Sequence, residues 1–161
     1  SRGLGDVYKR QGLVKIKGVD VVLQGLWKFG NDWVFDSRLS YTYQKAQDFT
    51  DKSDKDTYGG QISYIPWHSG SAILNAGYKS WELNYSFIYT GERYDVSANT
   101  PENYRLPWYT SDFSLAKKFS WRKYDFKLTL EVNNIFNQQY EVVRSYPMPG
   151  TNFKFILNLT I

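Results

Sequence analysis

The sequence contains no cysteine and a single histidine, His68. Without cysteine there is no disulfide staple, and this segment can assemble neither a His/Cys metal cluster nor a Cys-His dyad. No stretch approaches the roughly 18 consecutive apolar residues of a membrane helix, and mean hydropathy is −0.55, so helical membrane spanning is excluded. Charge of one sign is not concentrated either. The net charge of +4 arises from 20 Lys and Arg scattered among 16 acids, without the basic stripe that nucleic acid requires, so no nucleic-acid partner is expected. No cofactor or metal is expected. Aromatic residues, by contrast, are abundant: 14 Tyr, 10 Phe and 6 Trp make up 19% of the chain. A hydrophilic mean with an aromatic surplus is what a transmembrane β-barrel produces, because half of each strand faces water.

The pattern along the chain agrees. Seven stretches alternate apolar and polar residues with the period of a strand. In the first, about Lys17 to Phe29, Val19, Val21, Leu23, Trp27 and Phe29 oppose Asp20, Gln24 and Lys28. In the second, Trp33, Phe35, Leu39, Tyr41 and Tyr43 alternate with Asp36, Arg38, Ser40, Thr42 and Gln44. The third follows Pro66 and sets Ala72, Leu74, Ala76 and Tyr78 against Ser71, Asn75 and Lys79. The fourth is the cleanest, with Trp81, Leu83, Tyr85, Phe87 and Tyr89 against Glu82, Asn84, Ser86, Thr90 and Glu92. The fifth opposes Phe113, Leu115 and Phe119 to Thr110, Asp112, Ser114 and Lys118, and the sixth opposes Phe126, Leu128, Leu130 and Val132 to Lys127, Thr129, Glu131 and Asn133. The last, Thr151 to Ile161, places Phe153, Phe155, Leu157, Leu159 and Ile161 on one face, and only Ile156 breaks the alternation.

Connections alternate short and long. Gly30-Asn31-Asp32, Lys79-Ser80 and Arg122-Lys123 make tight turns, whereas Lys45 to Tyr64, Asp95 to Pro107 and Gln138 to Gly150 make long polar excursions. The first excursion contains the run Asp51 to Asp56, which cannot be buried. In bacterial barrels short turns are periplasmic and long loops extracellular, so this alternation predicts the topology. Aromatics bracket every short turn (Trp27, Phe29 and Trp33; Tyr78 and Trp81; Phe119, Trp121 and Tyr124), as an inner interfacial girdle would.

A soluble antiparallel sandwich alternates equally well, but its strands average about 5–6 residues, whereas these run about 11–13, the length a tilted membrane strand needs. A small closed porin or adhesion barrel would need an eighth strand. An outer-membrane hydrolase would have to pair His68 with a serine and an acid, yet Ser69-Gly70-Ser71 lacks a nucleophile-elbow context.

The sixth and seventh strands carry something more specific. Leu128-Thr129-Leu130-Glu131-Val132-Asn133-Asn134-Ile135-Phe136-Asn137-Gln138-Gln139-Tyr140, followed by Tyr146-Pro147-Met148-Pro149-Gly150-Thr151-Asn152-Phe153, resembles the C-terminal end of TonB-dependent outer-membrane receptors. Thr151 stands where that family more often has Arg, and Ile161 where it more often has an aromatic. Gly60 to Pro66 and Tyr89 to Tyr94 also resemble the family's barrel segments. Read without the resemblance, Asn134 and Asn137 flank the point where a strand leaves the bilayer, and their amides can serve backbone groups that lose ladder partners, while Phe136 and Tyr140 anchor the outer interface.

The resemblance implies an all-β fold: an antiparallel transmembrane β-barrel segment of about seven strands, belonging to a receptor whose barrel has about 22 strands. The chain is then expected to be a fragment, with residues 1–12 a non-native leader or scar and 13–161 the C-terminal part of the barrel. It implies a bacterial outer-membrane location, uptake of a siderophore, vitamin or glycan ligand, and no enzymatic role. Implied partners are the rest of the barrel and its plug, TonB through an N-terminal box, the barrel-assembly machinery, lipopolysaccharide and phospholipid, and a small-molecule or metal-chelate ligand. Asp36, Arg38, Glu82, Asn84, Asp112, Lys118, Lys127 and Glu131 are expected to face the lumen and plug. Candidate ligand contacts on the long loops are Tyr58, Tyr104, Arg105, Tyr140, Arg144 and Tyr146, residue types that combine contact area, hydrogen bonding and cationic attraction.

Overall fold

The computed structural model describes residues 12–160. Seven strands form one antiparallel sheet: β1 (Val14–Phe29), β2 (Trp33–Asp48), β3 (His68–Tyr78), β4 (Trp81–Thr90), β7 (Trp108–Trp121), β8 (Tyr124–Asn133) and β11 (Asn152–Thr160), hydrogen-bonded in that order. Two small hairpins stand on the long connections, β5 (Arg93–Tyr94) with β6 (Tyr104–Arg105), and β9 (Glu141–Val143) with β10 (Tyr146–Pro147). The expected leader at residues 1–12, save Gly12, and the terminal Ile161 lie outside the described residues.

Register decides which side chains share a face, since directly paired residues point the same way. Asp36 pairs with Asn75, Asn75 with Asn84, Asn84 with Ser114 and Ser114 with Glu131. The row on the other face runs Trp27, Phe35, Ala76, Leu83, Leu115, Leu130, Phe155. One face is therefore mainly polar, with Val22, Leu26, Ile73, Ile88 and Ile156 as aliphatic exceptions, and the other mainly apolar, and among the described residues no second sheet packs on Leu83, Phe87 or Leu128. Among the described residues only Ala46 and Ala116 are buried hydrophobics, while Phe153 is 77% and Leu23 62% exposed. A contiguous bare apolar face of this kind far exceeds the few hundred Å² that soluble monomers expose. Hydrocarbon is the surrounding that stabilises it.

From Trp33 to Tyr43 the apolar face of β2 carries aromatic and aliphatic residues interrupted only by Ser37, ten steps of about 3.3 Å. Tilted by about 40°, these rise about 25 Å, the height of a barrel's lipid-facing band. β1 and β2 continue past it, pairing Lys17 with Lys45 on that face and ending at Val14 and Asp48. The excursion expected from Lys45 thus begins four residues later, at Phe49, because the ladder with β1 persists and Ala46 is 1% exposed against it. The tight turns use Lys79 (φ 53°) and Arg122 (φ 56°) in the left-handed region. Asp51 to Asp56 are all exposed.

Candidate outer-mouth site and lumen wall

All eight residues expected in the lumen lie on the polar face. Asn75 Nδ2 donates to Asp36 Oδ1 at 2.9 Å, and Asn84 Nδ2 donates in turn to Asn75 Oδ1. Glu82 bridges two cations, Lys118 and Lys127, the latter at 2.6 Å, and Glu131 pairs with Lys154 at 3.8 Å. Arg38 sits between Gln24 and Ile73. Asp112 has a second duty, because its Oδ1 accepts the backbone N–H of Asn134 at 2.7 Å and ties off the end of β8.

At the opposite end from the tight turns, the three excursions are joined to one another. Gln61 N–H donates to Asn99 Oδ1 at 2.5 Å, and Asn99 Nδ2 returns a bond to Gln61 O at 3.1 Å. Tyr64 N–H donates to Tyr94 O at 2.8 Å. The guanidinium of Arg93, 3% exposed, donates through Nη2 to the carbonyls of Glu141 and Val142 at 2.9 and 3.2 Å. Asp95, its side chain 1% exposed, binds Arg105 within its own hairpin and Arg144 of the third excursion at 3.6 Å. Burial lowers the Arg93 guanidinium from its ordinary pKa, an effect that Arg105 reinforces and Tyr64 opposes.

Beside this cluster lies a recess of about 420 Å³, faced by Tyr104, Arg105, Trp108, Gln139 and Tyr140. Tyr104 donates its hydroxyl to Glu92 at 3.0 Å, and Tyr140 stacks on Trp108 with centroids 4.4 Å apart. Trp108 Nε1 is buried with no hydrogen-bond partner among the described residues. Burial, then Glu92, raises the Tyr104 phenol, and burial, then the charge on Asp112, raises that of Tyr140.

Three of the six candidate contacts, Tyr104, Arg105 and Tyr140, thus face this recess, and Arg144 joins Arg105 beside it at Asp95. Tyr58 instead packs edge-on against Phe49 at 5.2 Å, and Tyr146 is 71% exposed on β10. Arg93, Asp95, Gln61 and Asn99 escaped the sequence reading as site residues. Two of these, Gln61 and Arg93, fall within the stretches that resemble the receptor family, which was the only signal available.

The strand-exit asparagines act as expected. Asn134 (φ 51°) donates to Gln138 O at 2.9 Å and Pro149 O at 3.2 Å, while its Oδ1 accepts from Gln138 N. Asn137 Oδ1 accepts from Thr151 N–H at 3.2 Å, and it lies 2.5 Å from where a Cβ would stand at Gly150. His68 shares a 2.8 Å hydrogen bond with Tyr41 and packs on Tyr43.

The comparison with known families closes the question of kinship. The family model described as TonB dependent receptor-like, beta-barrel matches residues 1–135. The chain belongs to that family. TonB-dependent receptors are transporters of the bacterial outer membrane, and a full receptor carries a plug and interacts with TonB. The match stops short of most of the Asn134 to Phe153 stretch, so the asparagine geometry there stands as separate structural information. No curated protein matches the chain.

Proposed function

We propose that this chain is a wall sector of a TonB-dependent importer, with the tight turns in the periplasm and the three joined excursions forming part of the extracellular mouth. The observation that carries this reading is the recess beside Asp95, where Tyr104, Arg105, Trp108 and Tyr140 converge at the loop end of a sheet whose other features are lipid-facing and lumen-facing rows. Aromatic faces with a cationic rim fit an anionic metal chelate or a sugar. The wall itself does no chemistry. Transport work enters through TonB pulling on the plug, and the polar face, including Glu82, Lys118, Lys127 and Glu131, supplies the plug with hydrogen-bonding partners. Lipopolysaccharide meets the outer aromatic rim.

Uptake of the ligand by the complete receptor should require TonB; undiminished uptake in cells lacking TonB would overturn the reading. Changing Arg105 and Arg144 together to alanine should weaken ligand binding while heat-modifiable mobility of the barrel persists. Because both arginines hold Asp95, Asp95→Asn serves as the control. Equal loss in that variant assigns the arginines to loop order, whereas a smaller loss assigns them to the ligand.

A further inference from the structure

Among the described residues, Lys117 is the one strand cation on the apolar face at the tight-turn end, where the turn cations Lys79, Arg122 and Lys123 lie over the rings of Tyr78, Trp121 and Tyr124. Lys117 of β7 pairs with Trp81 and Leu128, so its side chain leaves the sheet on the lipid side. There its ammonium sits 4.4 Å from the centroid of the Trp81 ring and donates to Ser80 Oγ at 2.7 Å. The stem therefore runs along apolar surface while the head reaches the turn, the posture of a snorkelling lysine. None of the ion pairs among the described residues involves it.

Next to it on the same face, Trp33, Tyr78 and Trp81 form the interfacial row, with Trp33 and Tyr78 at 4.4 Å. One row deeper, a groove of about 630 Å³ opens between Trp27, Phe29 and Phe35 on one side and Leu74 and Leu83 on the other. Its floor is low because Ser37 and Ala76 stand where neighbouring rows carry larger residues. The indole of Trp27 lies across Gly25, where a Cβ would collide with it. A cation with a hydroxyl at headgroup depth and an apolar channel below match the two halves of one amphiphile.

We propose that β2, β3, β4 and β7 seat an anionic phospholipid of the periplasmic leaflet, its phosphate on Lys117 and Ser80 and an acyl chain in the groove over Ser37 and Ala76. Charge complementarity selects the anionic headgroup. This inference rests on the membrane reading of the apolar face.

The test is native mass spectrometry of the complete receptor in non-ionic detergent, with phosphatidylglycerol and phosphatidylcholine titrated in parallel. The unaltered receptor should retain phosphatidylglycerol preferentially. Lys117→Gln should lower that retention about fivefold, the worth of one surface cation, with phosphatidylcholine unchanged, and Lys117→Arg should restore it. Ala76→Phe or Ser37→Leu, filling the groove, should lower retention of both lipids, whereas Lys52→Gln on the outer excursion should alter neither. Undiminished phosphatidylglycerol in Lys117→Gln overturns the proposal, as does displacement of the lipid by millimolar inorganic phosphate, which would mark a bare anion site. Retention of neither lipid by the unaltered receptor would overturn the membrane reading itself; equal retention of both would overturn only the seat.

Discussion

The wall and the mouth of this molecule are built on opposite rules. In the wall, large apolar side chains are bare, with Leu23, Phe153 and Phe155 each more than 60% exposed. At the mouth the deeply buried groups are polar: Gln61, Arg93, Asp95 and Asn134, each at 7% exposure or less. The wall has no interior of its own and takes its stability from backbone ladders and the surrounding lipid. The mouth stands in water and orders its excursions by hydrogen bonds to buried charge. Loops that look like irregular connections are therefore joined to one another.

The strongest way to break that contrast is at Asp95. Asp95→Ala leaves Arg105 and Arg144 without their carboxylate beside the buried Arg93, and removing one partner from a buried pair costs about 3–5 kcal/mol. Proteolysis and hydrogen exchange should increase across residues 91–107 and 141–148, while the folded barrel keeps its gel mobility. Loss of both together would mean that wall and mouth are one cooperative unit.

A smaller effect is expected in the wall. Leu74→Arg, four residues in from Tyr78, places a cation on the lipid face and should cost about 2–4 kcal/mol at mid-bilayer depth, whereas Asn75→Arg, one residue along on the polar face, should cost far less. Refolding titrations into vesicles measure both. Similar costs would erase the distinction between the faces.

Asn134→Ala comes next. It removes a buried amide that serves Gln138 and Pro149, so about 1–3 kcal/mol is expected, concentrated in exchange rates of residues 135–151. Glu82→Gln should matter least. Glu82 and Lys127 are 40% and 39% exposed and Lys118 57%, and half-solvated pairs contribute about 0–1 kcal/mol.

This ordering also explains what was legible in the sequence. Period-two alternation is local, so the faces of β1 to β4 could be read directly, and all eight positions expected in the lumen lie on the polar side. Ile156 departs from the pattern in lying on the polar face opposite Thr129, as Ile73 and Ile88 do opposite Ser86 and Ser71. The mouth was less legible because its contacts are remote: Arg93 reaches carbonyls 48 and 49 residues away, and Arg144 meets Tyr64 across 80. β5, β6, β9 and β10 are only two or three residues long, too short to show a period. Tyr58 and Tyr146 were chosen by residue type alone, and type does not say which loops touch.

The central claim, one sheet with a lipid face and a lumen face, can be tested along β4. Because the chain has no cysteine, single cysteines at positions 82 to 87 can be spin-labelled in the complete receptor, reconstituted in bilayers. Collision with oxygen should peak at 83, 85 and 87, and collision with a water-soluble nickel chelate at 82, 84 and 86, where the plug leaves access. Uniform accessibility along the strand, or oxygen maxima at the even positions, would contradict the account.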